Sequence, residues 1–261
     1  MTEQSSDFKL PAVILAGAPA DAETAAKYGI DSRAAIPVAG KMMAEYIVEA
    51  LCQSSHIADV TVVGNIDCAG VTRTIPPGNS LIENLVAGVK ASSPEDDGQL
   101  VLVATSDIPL ITSQAIDDLI GRCTDPNVDF YYPIIPKEAN EKRFPEMKRT
   151  YAKLAEGTFT GGNIMLMKSG FVTRNADVIR DVFSARKSVI RLAKMIGFST
   201  LVRAVIAQTI WPGAINLPLL ERTAGRILNA RVKAVQTPFA EIGADVDDAE
   251  QIKFAEAALR K

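Results

Sequence analysis

The sequence predicts a three-layer α/β/α domain built on a mostly parallel sheet. Short apolar runs end abruptly in glycine or a lone acid: Leu10–Ala16 before Gly17, Asp59–Val63 before Gly64, and Leu100–Ala104 just before Asp107. Runs this short, closed by turn residues, read as strands buried on both faces. Between them lie stretches with apolar residues at helical spacing. Strands alternating with helices imply βαβ units and a parallel sheet.

In order, residues 1–7 are polar and read as disordered, and Leu10–Ala16 is the first strand. Lys41–Gln53 carries Met43, Ile47, Val48 and Leu51 at helical spacing. Asp59–Val63 is the second strand. Ser80–Ala91 is a helix with Ser80 as N-cap and Glu83 three residues on, the pattern of a capping box. Leu100–Ala104 is the third strand, Ser113–Arg122 a helix for which Ser113 is read as the cap, and Val128–Ile135 a fourth apolar run. From Phe171 to about Ala234 the pattern is mostly helical, with Pro212 and Pro218 as breaks. This stretch reads as a helical insertion near the C-terminus, so residues 1–261 form a single domain with an insertion at about 171–234. Thr237–Lys261 returns to the main domain through an acidic turn (Glu241, Asp245, Asp247, Asp248) and a closing helix, Asp248–Arg260.

A chain of 261 residues holds one large or two small domains, and 48% hydrophobic with 23% charged residues is an ordinary soluble balance. A net charge of -3 offers no basic footprint for nucleic acid. Cys52, Cys68 and Cys123 are scattered and odd in number, which suits reduced cysteines in a cytoplasmic protein rather than disulfides or a zinc site. Met1–Lys9 has no apolar signal core, so export is not expected. No run of 18 apolar residues is present to span a membrane.

Four pieces that can carry chemistry fall at the ends of expected strands. Val13-Ile-Leu-Ala-Gly-Ala18 runs from a strand into a small-residue turn whose backbone N–H groups can cradle phosphates, although many strand–turn–helix units look alike. Ser32–Lys41 places Arg33 and Lys41 around Pro37, and such cations can neutralise a triphosphate or simply be solvated. Thr105-Ser-Asp107 ends a buried strand in a carboxylate, at the sheet edge where α/β folds bind ligands. With Ser113 as the cap of the next helix, Asp107 is left without a structural task. Asp245–Glu250 is acidic, as helix N-termini often are.

Taken together, these pieces resemble the sugar-nucleotide type of nucleotidyltransferase with a glycosyltransferase-A-like, Rossmann-like fold, and most nearly the molybdenum-cofactor guanylyltransferase-like group. The Leu-Ala-Gly-Gly loop of that family is matched by Leu15-Ala-Gly-Ala18. Its basic residue, proline and Gly-Lys-Pro-Met helix start are matched by Arg33, Pro37 and Gly40-Lys-Met-Met43. Its Gly-Asp-Met-Pro-Leu metal motif is matched by Ser106-Asp-Ile-Pro-Leu110, and its Gly-Gly-Asn segment by Gly161-Gly-Asn163. Its closing Asp-Val-Asp-Thr-Pro-Glu-Asp motif is matched by Asp245-Val-Asp-Asp-Ala-Glu-Gln251. The likeness covers about residues 10–170 and 235–261.

The resemblance implies a Mg²⁺-dependent transfer of an NMP unit from an NTP to a small phosphorylated or hydroxylated acceptor, with release of pyrophosphate. It implies Mg²⁺ held by Asp107 and Asp247, with Arg33, Lys41 and Asp107 as the catalytic groups. Leu15, Ala16, Gly17 and Ala18 would hold the nucleotide and its phosphates, Gly78, Ser80 and Asn84 would lie near base and ribose, and Ser106, Gly162 and Asn163 would complete the substrate site. Little acid–base work is needed when the acceptor is a phosphate, which suits a chain with one histidine, His56, read as surface. The first loop departs from the family's Gly-Gly-x-Ser-x-Arg-Met-Gly: it reads Gly17-Ala-Pro-Ala-Asp-Ala-Glu23, without arginine and with two acids. Either Lys27 or Arg33 supplies the missing charge, or catalysis is reduced and the chain is a nucleotide-binding module. A glycosyltransferase of the same fold is the other alternative, but its Asp-x-Asp should follow an internal strand, whereas Asp245-Val-Asp247 is near the C-terminus.

Within the insertion, residues 183–211 combine an apolar face (Val189, Leu192, Ala193, Ile196) with a basic one (Lys187, Arg191, Lys194). Peripheral contact with an anionic membrane, a cover for the acceptor pocket, a homodimer interface and a packed helix with a solvated basic face all fit this pattern.

Overall fold

The computed structural model describes residues 9–93, 97–185, 195, 197–209 and 211–260. The N-terminal stretch expected to be disordered, residues 1–7, falls wholly outside them. So do Lys187, Val189, Arg191, Leu192, Ala193, Lys194 and Ile196 of the expected amphipathic helix.

β1 (Leu10–Leu15) is buried along its whole length, with Ala12 and Ile14 in one core and Val13 and Leu15 in the other. That is why it reads as a continuous apolar run. It lies parallel between β4 (Ile57–Val63) and β6 (Leu100–Thr105), and β5 (Arg73–Ile75) adds a further parallel pairing beyond β4. β10 (Ile164–Lys168) enters antiparallel between β6 and β7 (Phe130–Pro136). β9 (Gly157–Gly161) and β8 (Ala152–Leu154) continue antiparallel, while β11 (Val232–Gln236) lies parallel on the other edge of β7. The resulting nine-stranded sheet is α/β and Rossmann-like, with its parallel half where strand and helix alternate in the chain. β2 (Pro37–Val38) and β3 (Lys41–Met42) form a separate hairpin.

One helical layer is formed by α2 (Met43–Gln53), α4 (Ser113–Arg122) and α9 (Ala249–Leu259), which bury Ile47, Leu51, Ile116, Leu119 and Ala255. The opposite layer is α3 (Leu81–Ser92) and α6 (Ser169–Ala185), through Leu85, Val89, Phe171 and Val172. α7 (Phe198–Thr209) and α8 (Leu217–Leu228) cover the β7–β9 end around Phe159, Ala207 and Ile215. Two short helices, α1 (Ala22–Tyr28) and α5 (Lys137–Arg143), follow β1 and β7.

Four local expectations are corrected. Thr112, not Ser113, caps α4: it has the extended backbone a cap needs, and its hydroxyl accepts the Ala115 N–H at 3.2 Å. Ser80 does cap α3, but Glu83 reaches one residue further back, to the Asn79 N–H at 2.9 Å. The reciprocal box is found at α9 instead, between Asp248 and Gln251. Pro218 stands in the first turn of α8, where no N–H is needed, so it starts a helix rather than breaking one. β11 also begins inside the stretch read as helical.

Gly88 sets how closely α3 approaches the sheet. A Cβ there would lie 2.5 Å from Val13 Cγ1 and 2.8 Å from Val63 Cγ2. Gly88→Ala is expected to destabilise by about 1–3 kcal/mol through overpacking. That exceeds the roughly 0.5–1 kcal/mol that alanine gains over glycine inside a helix. A lower urea midpoint with unchanged slope would show it.

Candidate active site

The parallel strands β1, β4, β5 and β6 all end at one edge. From β1 the chain moves to β4 on one side and later returns to β6 on the other, so the order reverses between β1 and β6. A crevice opens at such a reversal, beyond the carboxyl ends of the strands. Leu15–Ala18 and Ser106–Asp107 emerge from those two strands into it.

On the β1 side the loop is closed by Ser32 and Arg33. The Ser32 hydroxyl donates to the Ala16 carbonyl at 2.9 Å, and the Arg33 N–H donates to the Ala18 carbonyl at 3.0 Å. A Cβ on Gly17 would lie 2.7 Å from Pro77 Cβ and closer still to Asn84 Nδ2. Only glycine allows this approach. Asn84 is buried, and its Oδ1 accepts the Gly78 N–H at 2.6 Å. Gly17, Pro77, Gly78 and Asn84 therefore form one wall, with Ser80 on the same loop but engaged as the α3 cap. Of the two acids in the divergent loop, Asp21 caps α1, taking the Thr24 N–H at 2.9 Å and its hydroxyl at 2.7 Å. These bonds hold its carboxyl below the ordinary range. Glu23 lies in the first turn of the same helix.

Asp107 lies just beyond β6, the parallel neighbour of β1. Its Oδ1 accepts the Thr105 hydroxyl at 2.5 Å and the Asn163 amide at 3.5 Å, and the same amide donates to Thr105 Oγ1 at 3.2 Å. Asn163 is itself fixed where the strand pairing is interrupted: its carbonyl accepts the Thr105 N–H and its N–H reaches the Ile242 carbonyl. A Cβ on Gly162 would meet Ile242 Cγ2 at 2.7 Å, so this corner is also closed to side chains. Ser106 is buried beside Asp107.

The acidic turn arrives because β11 runs parallel to β7 and so ends at the same edge. The Val246 N–H donates to the Asp107 carbonyl at 2.8 Å, which places Asp247 next to Asp107 although 140 positions separate them. Burial pushes the Asp107 carboxyl above its ordinary range and the Asp247 charge adds to this, while the Thr105 bond and the Arg33 charge oppose it. Arg33 Nη2 donates to the Asp247 carbonyl and to Asp247 Oδ1, both at 3.1 Å. Lys41 is placed differently. Its Nζ holds both Glu49 oxygens, at 2.5 and 2.8 Å, and lies over the Tyr46 ring. Its described partners all belong to α2 and not to the crevice.

Sequence reasoning missed Arg149. It pairs with Asp245, and Nη2 donates weakly to the Gly161 carbonyl at 3.4 Å. Burial draws its pKa down, opposed by the nearby Tyr151 and Tyr132 hydroxyls and the Asp247 and Asp107 carboxylates. Among the described residues its buried Nε has no partner, and an orphan N–H of this kind costs about 1–3 kcal/mol. In sequence, Lys148-Arg149 looks no different from Lys142-Arg143.

The donor set suits Mg²⁺. Among the described residues no donor reaches Asp107 Oδ2, and Asp247 supplies a second carboxylate, more than half exposed. Among the described residues no group of three or more His, Cys, Asp or Glu could hold a metal. Two carboxylates completed by water and phosphate oxygens is how Mg²⁺ is usually held.

Residues 12–195 match the family model of the MobA-like NTP transferase domain. No curated protein matches the sequence. A hypothetical transferase from Thermus thermophilus is 34% identical, with 94% of this chain and 100% of that one aligned at a TM-score of 0.83. A 4-diphosphocytidyl-2C-methyl-D-erythritol synthase from Anaerococcus prevotii shares the fold at 12% identity, TM-score 0.57, covering 98% and 100% of the two chains. So does a CMP:2-keto-3-deoxy-manno-octonic acid synthetase complexed with CTP, at 14% identity and TM-score 0.57, covering 97% and 98%.

Proposed function

Because this chain belongs to the MobA-like NTP transferase family and is thereby a nucleotidyltransferase, we propose that it transfers an NMP unit from an NTP to a small phosphorylated or hydroxylated acceptor, with Mg²⁺ and with release of pyrophosphate. One observation carries this reading. A partly buried carboxylate, Asp107, stands beside Asp247 at the end of β6, the strand next to β1, whose loop packs against Pro77 and Asn84.

The chemistry asks for positioning and charge compensation more than proton transfer. Asn84 and the backbone near Gly17 hold the nucleoside end. Asn163 and Thr105 fix the rotamer of Asp107. Arg33 meets the phosphates from the Asp247 side. A bound Mg²⁺ supplies the positive charge that offsets negative charge building on the departing pyrophosphate. The acceptor oxygen forms a bond to the α-phosphorus as the bond to the β-phosphate oxygen breaks.

Arg33→Ala is expected to lower kcat roughly a hundredfold, as for removal of a preorganised donor. Lys41→Ala is expected to have a smaller effect, because Lys41 must first leave Glu49. The exposed pair it would give up is worth only about 0.2–1 kcal/mol. Comparative turnover of the two variants checks the order.

The direct test is pyrophosphate release from each of the common NTPs with Mg²⁺ across a panel of sugar phosphates and alcohols. Silence with every NTP would defeat the proposal. A thermal shift by NTP without release would assign a binding role instead. An NTP at about 100 times its Kd should add roughly 2.7 kcal/mol of stability.

A further inference from the structure

We infer that Tyr132 is a specificity-determining residue at the acceptor end of the crevice, where its phenol hydrogen-bonds a neutral hydroxyl of the acceptor. The acceptor is then a polyol, a sugar or cyclitol that carries hydroxyls besides its reacting oxygen. This rests on the nucleotidyl-transfer reading above and narrows its substrate class.

The first support is exposure. Among the described residues the exposed large apolar side chains are Leu81, Tyr132, Val202 and Trp211, and only Tyr132 belongs to a strand. It is 37% exposed although β7 is paired on both sides, by β11 on one and by β9 and β10 on the other. Side chains two positions apart share a face of the sheet. On that face Phe130 packs with the cluster of α3 and α6, and Ile134 belongs to the cluster around Phe159 and Ile215. Tyr132 stands between the two clusters, where the sheet is left uncovered.

The second is direction. The Tyr132 hydroxyl fills the space that a side chain at Gly161 would need, and Cζ would lie 3.0 Å from a Cβ there. Gly161 is the register partner of Ile134, so the phenol leans along β7 toward the carboxyl edge. Two residues on from Gly161 is Asn163, whose amide holds Asp107. The sheet order β1, β6, β10, β7 puts Asp107 between the β1 loop and Tyr132. Phe130 shares its cluster with Leu85 and Val89 of α3, the helix that carries Asn84, so Tyr132 is on the sheet face that α3 covers. With the nucleotide held by the β1 loop and the metal at Asp107, the acceptor approaches from the β7 side.

The third is chemistry. Among the described residues no group bonds the Tyr132 hydroxyl. Burial pushes its pKa above the ordinary range, opposed by Arg149, so the phenol keeps its proton and is not a base. A protonated phenol donates one hydrogen bond and accepts others, as an alcohol does. Arg149, the cation that acts on it, is paired with Asp245. Tyr151, the other phenol beside Arg149, is bonded to the Asn140 amide at 2.9 Å. Neutral hydroxyls of this kind match a ring that carries hydroxyls of its own.

The test follows pyrophosphate release, with Mg²⁺ and saturating NTP, from hexosyl and inositol phosphates, their monodeoxy analogues and ethyl phosphate. The wild type should prefer one polyol phosphate to ethyl phosphate by roughly a hundredfold or more in kcat/KM. One monodeoxy analogue of that acceptor should lose roughly tenfold, the worth of one neutral hydrogen bond. Tyr132→Phe keeps the ring and removes only the hydroxyl. It should show the same loss with the parent acceptor and no further loss with that analogue, the coupling expected of groups in contact. The loss should fall on the acceptor KM, with kcat, the NTP KM and Tm as in the wild type, a pattern that a packing role would not give. If Tyr132→Phe does not fold, the wild-type deoxy series still tests the requirement for a hydroxyl. Ethyl phosphate used as well as every polyol phosphate, full activity in Tyr132→Phe, additive losses, or an equal rise in the NTP KM would each overturn the inference while leaving nucleotidyl transfer standing. No release with any NTP and acceptor would remove the broader reading as well.

Discussion

Asp107→Asn is expected to reduce pyrophosphate release by roughly a thousandfold or more while raising the thermal stability of the ligand-free protein. The activity loss follows from charge. A metal at this site is worth several kcal/mol of transition-state stabilisation, and asparagine offers it only a weak neutral oxygen. The stability gain follows from burial. The Asp107 carboxyl is pushed above its ordinary range mainly by desolvation, so the fold favours its neutral form. Such a group contributes stability while protonated, and that contribution is lost as pH rises through its folded pKa. Asparagine is neutral throughout, and its Oδ1 can still accept from Thr105 and Asn163. The two proteins should therefore have similar stability in acid and diverge above the ordinary carboxylate range, with the variant the more stable at neutral pH. With Mg²⁺ and NTP the order should reverse, because only the wild type gains binding energy. Unfolding curves against pH, with and without ligand, read both effects. A variant that kept activity within tenfold of wild type would remove Asp107 from the chemistry.

Asp107 could be found in the sequence because an ionisable residue just beyond a strand with a buried centre has few structural reasons to be there. The strands were legible for the same reason: β1 and β6 are covered on both faces, so their runs are unbroken. β11 was hidden because it is less buried. Lys233 and Gln236 are exposed, and the segment looks like the end of a helical stretch. The α4 cap was misassigned because Thr112 and Ser113 are chemically equivalent caps, and only backbone conformation separates them. Arg149 was invisible for a deeper reason. Its meaning lies in desolvation and in the acids that surround it, and both arise only when β7, β9 and the acidic turn meet. The two acids of the first loop looked like a defect beside a triphosphate, yet one of them is the cap of α1.

Gly17→Val should eliminate NTP binding and lower stability by about 1–3 kcal/mol or more. The ring of Pro77 cannot rotate out of the way of a Cβ 2.7 Å from its own. Asn84, closer still, is anchored through its Oδ1 to the Gly78 N–H. The added side chain must lift the β1 loop or push back the loop at residues 77–84, and either movement opens the wall against which the nucleotide is held. Alanine is the smaller perturbation and permits a sharper test. Gly17→Ala combined with Asn84→Ala removes one of the two clashing partners, so stability should recover relative to the sum of the single changes by about 0.5–3 kcal/mol, the coupling expected of residues in contact. NTP affinity should not recover with it, because the amide proposed to hold the nucleoside is gone and Pro77 still resists. Denaturant unfolding and NTP titration of the four proteins separate packing from recognition. Recovery of affinity in the double variant would show that Asn84 only packs against Gly17 and that the nucleotide is held elsewhere in the crevice.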